Sequence, residues 1–125
     1  MSGQKRVFII DDDEVVMTSL KRLLVSSGFA AEVAKPSESI TQAVKFFRPD
    51  IILLDLIMPI NGIEVCKMLG QDFATKKIPI IIVSAFGSDK DFRSMLKRKT
   101  TAKIVASVEK PYEFSELLRV VKRYV

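Results

Sequence analysis

Apolar and polar positions along the chain alternate between two periods. Five short apolar runs, at residues 7–10, 30–34, 51–54, 80–83 and 104–108, read as strands. Three of them are continuous and rich in Ile and Val, the pattern of strands covered on both faces. The segments between them follow a helical period. Val15, Val16, Leu20, Leu23 and Leu24 form the first stripe, and Ile40, Ala43, Val44 and Phe47 the second. Ile63, Val65, Cys66, Met68 and Leu69 form the third, and Phe92, Met95 and Leu96 the fourth. Leu117, Leu118, Val121 and Tyr124 form the fifth.

Local signals set the limits. Gly28 suits the left-handed position that ends the first helix. Pro36-Ser37 is expected to open the second helix, and Ser88 with Asp91 reads as a capping box for the fourth. Pro49, Pro79 and Pro111 fall just outside strands, where a missing N–H does little harm. Strands alternating with helices imply right-handed βαβ units and a parallel sheet. Five such pairs predict an α/β fold with a doubly wound five-stranded parallel sheet and five helices. No repeat or linker interrupts it, so residues 1–125 are expected to form a single domain, the fifth helix finishing at Tyr124-Val125.

In doubly wound sheets ligands collect beyond the carboxyl ends of the strands. Asp11-Asp12-Asp13-Glu14 follows the first run, Asp55 the third, Ser84 the fourth and Lys110-Pro111 the fifth. Asp13 and Glu14 have an ordinary role open to them as helix-capping acids. Asp55 breaks an apolar run, where a carboxylate needs a partner. Several carboxylates in one crevice repel each other unless a cation joins them, and hard oxygen ligands suit Mg²⁺. A lysine and a hydroxyl opposite would hold phosphoryl oxygens. Together these groups make a site for phosphoryl transfer, which depends on positioning and charge neutralisation.

Composition narrows the field. The chain has 125 residues, 48% of them apolar, and one cysteine, Cys66, which reads as a buried helix residue. No apolar run reaches the roughly 20 residues of a membrane helix, and no secretory signal opens the chain. A cytoplasmic protein is therefore expected, with no membrane partner. The net charge of +5 raises the question of nucleic acid. The basic residues are scattered apart from Lys97-Arg98-Lys99 and Lys103, and no nucleic-acid-binding motif accompanies them. No direct nucleic-acid binding is expected.

The motifs resemble those of the receiver domains of two-component response regulators. They comprise Val7-Phe8-Ile9-Ile10-Asp11-Asp12-Asp13, Asp50-Ile51-Ile52-Leu53-Leu54-Asp55-Leu56-Ile57-Met58-Pro59, Gly62, Pro79-Ile80-Ile81-Ile82-Val83-Ser84-Ala85 and Lys110-Pro111. The resemblance implies a flavodoxin-like strand order 2-1-3-4-5. It implies that Asp55 accepts phosphate from a phosphohistidine on a sensor histidine kinase or histidine phosphotransfer protein. Asp11, Asp12, Asp55 and the carbonyl of Ile57 would hold Mg²⁺, and Ser84 and Lys110 would bind phosphoryl oxygens. Such a domain assists only its own phosphorylation and dephosphorylation. It signals to a downstream protein through helix 4, strand 5 and helix 5.

Three departures from the family pattern stand out. The loop between Pro59 and Gly62 is one residue short. The stretch from Ser84 to Lys110 is about four residues longer than the family's pattern, with the extra length placed at 97–103. Ser107 occupies the usual place of a switch aromatic. Ile57 and Phe86, two past the acceptor and two past the hydroxyl, cannot orient water, so slow self-dephosphorylation is expected. Two other readings compete. One is a receiver-like module that binds partners without phosphate. The other is a haloacid-dehalogenase-like phosphatase using Asp11 as nucleophile and Asp13 as acid.

Overall fold

The computed structural model describes residues 3–56, 59–86 and 89–125, with backbone alone at 56 and 59–61. The elements alternate: β1 (Arg6–Ile10), α1 (Glu14–Ser26), β2 (Ala30–Ala34), α2 (Ile40–Phe47), β3 (Ile51–Leu56), α3 (Pro59–Gln71), β4 (Ile80–Ser84), α4 (Lys90–Lys99), β5 (Ile104–Glu109) and α5 (Phe114–Tyr124). The five strands form one parallel sheet in the order β2-β1-β3-β4-β5. This is the doubly wound architecture that the alternation of periods predicts.

Strand alternation divides the core into two layers. Phe8, Ile10, Ile52, Leu54, Ile80 and Ile82 face the side covered by α2, α3 and α4. Val7, Ile9, Ile51, Leu53, Ile81 and Val83 face the side covered by α1 and α5. Both faces are dry, which is why the central strands are continuous apolar runs. Between β4 and β5 the register shifts after Ile80, which pairs with Ile104 while Ile81 pairs with Ala106. The shift sets Ser107 beside Ile82 and Glu109 beside Ser84.

Several predicted boundaries move, each for a local reason. The helix at Pro36-Ser37 begins instead at Ile40, because the Ile40 N–H closes a turn on the Ser37 carbonyl at 3.2 Å. Ser88 lies outside the described residues. The cap of α4 is Asp89, whose carboxylate accepts from the N–H groups of Asp91 and Phe92 at 2.8 and 3.2 Å. The short segment from Pro59 to Gly62 is no loop but the first turn of α3, with Pro59 where a missing N–H is harmless. Val15 and Leu23 are 74% and 45% exposed, and Met17 takes their place on the buried face with Leu20 and Leu24. Gly28 stands at φ +98° past the end of α1, as its residue type predicts.

Among the described residues no helix is long and apolar enough to cross a membrane.

Candidate functional site

Parallel pairing brings the ends of β1, β3, β4 and β5 to one edge of the sheet. Ile10 pairs with Leu54, so Asp11 and Asp55 leave adjacent strands side by side. Asp11 is held by two backbone contacts. Its N–H donates to the Ala34 carbonyl at 3.2 Å, and its Oδ1 accepts from the Asp13 N–H at 3.0 Å. Asp13 is the N-cap of α1 and accepts from Val15 and Val16 N–H groups at 2.9 and 3.2 Å. Its carboxylate is committed to the helix, the capping role open to it in the sequence.

Asp55 is buried at the end of an apolar strand. Lys110 Nζ lies 2.5 Å from its Oδ1. The lysine is positioned by its own backbone, since the Lys110 N–H donates to the Ser84 carbonyl at 2.9 Å. Ser84 is fully buried, and its Oγ accepts from the Phe86 N–H at 2.9 Å. Asp11, Asp55, Ser84 and Lys110 therefore gather at one place, as the strand-end reading expects. Asp12 does not join them. It is exposed and lines a groove of about 360 Å³ with Pro36, Ser37, Glu38 and Glu64. The carbonyl of Ile57 lies outside the described residues.

The electrostatics are those of a site with excess negative charge. Asp11 Oδ2 and both Asp55 oxygens are buried without a hydrogen-bond donor, Oδ1 of Asp55 having the Lys110 ion pair. The Asp11 pKa is pushed up from 3.8 to about 7, first by burial. The Asp13 N–H opposes this rise, while the nearby charge of Asp55 favours the protonated form. One lysine does not balance two carboxylates. Oxygens of this kind fit a hard divalent cation, which replaces the missing donors with charge. Among the described residues no three acidic, histidine or cysteine groups stand close enough to form a ligand set by themselves. Asp11 and Asp55 fit the ion, and Asp12 would have to turn inward from the rim.

Tyr112 was not singled out from the sequence. It is half-buried two residues past Lys110, and its phenol pKa is raised by burial and then by the charges of Asp55 and Asp11. Its place directly after Lys110-Pro111 was the available signal.

Residues 7–122 match the family of response regulator receiver domains. The chain belongs to that family: it is a receiver domain of the two-component response regulators. It is 34% identical over 84 residues to the response regulator MprA of Mycolicibacterium vanbaalenii, a match covering 64% of this chain and 34% of that protein. It is 35% identical over 83 residues to the DNA-binding response regulator MtrA of Mycolicibacterium smegmatis, covering 66% and 35%. The match thus spans about a third of the length of these curated relatives. Among solved structures, a receiver domain from Bermanella marisrubri has a TM-score of 0.80 at 26% identity, covering 97% and 98% of the two chains. The receiver domain of a sensor histidine kinase from Pseudomonas aeruginosa, with a magnesium ion in its active-site cleft, has a TM-score of 0.74. It covers 98% of both chains at 19% identity, a likeness of fold alone.

Proposed function

We propose that Asp55 is the phosphoacceptor of this receiver, taking its phosphoryl group from a phosphohistidine. The observation that carries this is a buried carboxylate at a strand end with Lys110 Nζ 2.5 Å from its Oδ1. In the transfer, an Asp55 oxygen attacks phosphorus, the phosphorus–nitrogen bond breaks, and the electron pair leaves on the imidazole. Lys110 moves from pairing with the carboxylate to pairing with a phosphoryl oxygen, and the Ser84 hydroxyl donates to another. Asp11 and Asp55, with Asp12 and the carbonyl of Ile57, would hold Mg²⁺. That ion supplies the positive charge the crevice lacks.

The donor is a sensor histidine kinase or a histidine phosphotransfer protein, and the domain acts in the cytoplasm. Residues 1–125 are read as one domain, catalysing no reaction beyond its own phosphorylation and dephosphorylation. Its downstream partner is a protein docking on α4, β5 and α5. The phosphatase reading is disfavoured, because Asp13, which it needs as the acid, is committed to capping α1. The module without phosphate chemistry is supported by Ser107, by the lengthened stretch at 97–103 and by the outward position of Asp12.

Incubation with acetyl phosphate and Mg²⁺ tests the proposal. The wild-type chain should gain one phosphoryl group by intact mass, and Asp55→Asn should gain none. Failure to take phosphate from acetyl phosphate and from histidine kinases alike would favour the phosphate-independent module. Phosphate on Asp11 would restore the phosphatase.

A further inference from the structure

Six cations, Lys90, Arg93, Lys97, Arg98, Lys99 and Lys103, fall in α4 and the loop after it. Asp89 and Asp91 are the only acids in that stretch, so four of the chain's five net positive charges lie there. Both acids stand at the start of α4, leaving its last turn uncompensated. Among the described residues, Lys21, Lys35, Lys45, Lys67 and Lys110 each form an ion pair, and none of the six does. A helix C-terminus accommodates some positive charge through its dipole, but three adjacent cations also repel one another.

The loop holds these charges in a fixed place. Thr101 Oγ1 donates to the Gly70 carbonyl on α3 at 3.0 Å. The approach is so close that a Cβ at residue 70 would lie 2.6 Å from Ala102 N and 2.8 Å from Thr101 Oγ1. Glycine is required there for α3 and the loop to meet. The result is a groove of about 260 Å³ between α3 and α4. Lys67 and Gln71 line one wall, and Lys97, Arg98 and Lys99 the other. Thr100 and Thr101 also line the groove. Thr100 Oγ1 accepts from Ala102 N at 3.0 Å, so its own proton is available to a ligand. Lys97 also lines a neighbouring groove with Lys90, Arg93 and Ser94. The spacing of 90, 93 and 97 puts these cations on one face of the helix.

We propose that this α3–α4 groove is a binding site for an oligophosphate, either inorganic or the phosphate tail of a nucleotide. Its lining is cationic and hydroxylic, with no acid to repel phosphate. It also contains no aromatic ring on which a base could stack, which disfavours single-stranded nucleic acid. It has no large apolar side chain to anchor a peptide. The run of cations along α4 suits a linear anion continuing from one groove into the next. The site is separate from Asp55. The Lys103 carbonyl accepts from the N–H of Ile80, which opens β4, so the groove lies toward the opposite edge of the sheet.

Calorimetric titration of the whole chain with inorganic triphosphate, in magnesium-free buffer, tests this site. Saturable binding that weakens with added salt is expected, unchanged in Asp55→Asn. Replacing both Arg98 and Lys99 by Ala should weaken it about tenfold or more, from the loss of charge-assisted contacts. Gly70→Ala should weaken it without removing a charge, and Lys67→Ala serves the same purpose if the Gly70 variant melts early. Equal affinity for ATP and triphosphate identifies the phosphate tail as the recognised group. Binding of triphosphate but not ATP restricts the ligand to the inorganic chain. The proposal is overturned by absence of binding at millimolar triphosphate, or by binding that the variants leave unchanged. Tighter binding of a single-stranded RNA 12-mer or a glutamate-rich peptide would also overturn it, assigning the face to a macromolecule.

Discussion

Lys110 Nζ stands 2.5 Å from Asp55 Oδ1, pairing a side chain one-third exposed with a carboxylate that is only 3% exposed. The two partners are therefore unequal. Lys110→Met leaves Asp55 and Asp11 facing each other in a dry crevice, while Asp55→Asn removes one of two repelling charges. Removing one partner of a fully buried pair costs several kcal/mol, and the exposure of Lys110 reduces that here to about 1–3 kcal/mol. Thermal unfolding without divalent cations should show Lys110→Met melting lower than wild type and Asp55→Asn melting equal or higher. Two shifts of the same sign would mean that Coulomb forces do not govern the pair.

Asp11 gives the domain a stability that depends on pH. Its pKa rises from 3.8 unfolded to about 7 folded, chiefly through burial. Between those values the folded chain holds a proton that the unfolded chain has released. Stability contributed by Asp11 is thus greatest at low pH and falls as pH rises through about 7. In Asp11→Asn that fall should disappear, and the variant should melt several degrees above wild type at pH 8. Mg²⁺ competes with the same proton, so its affinity for the wild-type domain should increase from pH 6 to pH 8. A Mg²⁺ affinity independent of pH across that range would exclude Asp11 as a ligand.

Cys66 lies on the buried face of α3, and burial pushes its thiol pKa up to about 12. The thiolate, which is the reactive species, is scarce at neutral pH. An aromatic disulfide reagent should label Cys66 no faster than the folded chain opens, and promptly in denaturant. Rapid labelling of the native chain would contradict the burial.

The strands and the strand-end residues were legible in the sequence for different reasons, whereas the order 2-1-3-4-5 came from the family resemblance alone. The central strands are covered on both sides, so they appear as uninterrupted runs such as Ile80-Ile81-Ile82-Val83. Asp55 and Ser84 stood out because each follows such a run, Lys110 because it closes the last strand, and parallel pairing then brings all three to one edge. Boundaries depended on single hydrogen bonds that composition does not reveal. Ser37 and Asp89 each redirect one turn, and separately the buried stripe of α1 runs through Met17 rather than Val15 and Leu23. The adjacent aspartates Asp11 and Asp12 were expected to act together, yet one is buried and the other exposed. Adjacent residues at a strand end point in different directions, and only the backbone path decides which enters the crevice.

With Ser107 in the place of an aromatic, the route from the phosphoryl site to α4 must run through other residues. Ser84 Oγ accepts from the Phe86 N–H at 2.9 Å, and the Phe86 ring lies 5.6 Å from that of Phe92 on α4. The Asp89 N–H, at the α4 cap, donates to the Phe86 carbonyl at 3.0 Å. Movement of the Ser84 hydroxyl toward a phosphoryl oxygen would therefore pull on Phe86 through its backbone and reach α4 through the ring. Beneath the helix, a cavity of about 80 Å³ lined by Leu96, Ile104 and Ser107 leaves α4 room to shift. Two variants probe the readout and the chemistry. Phe92→Leu should leave phosphate uptake at Asp55 within about twofold of wild type, a small effect on the barrier. It should also diminish the change in amide exchange of α4 on phosphorylation. Combining Phe86→Glu with Ile57→Asn should instead shorten the lifetime of the phosphoaspartate, because both new side chains can orient water. If α4 exchange responds as fully in Phe92→Leu as in wild type, the two rings do not carry the signal.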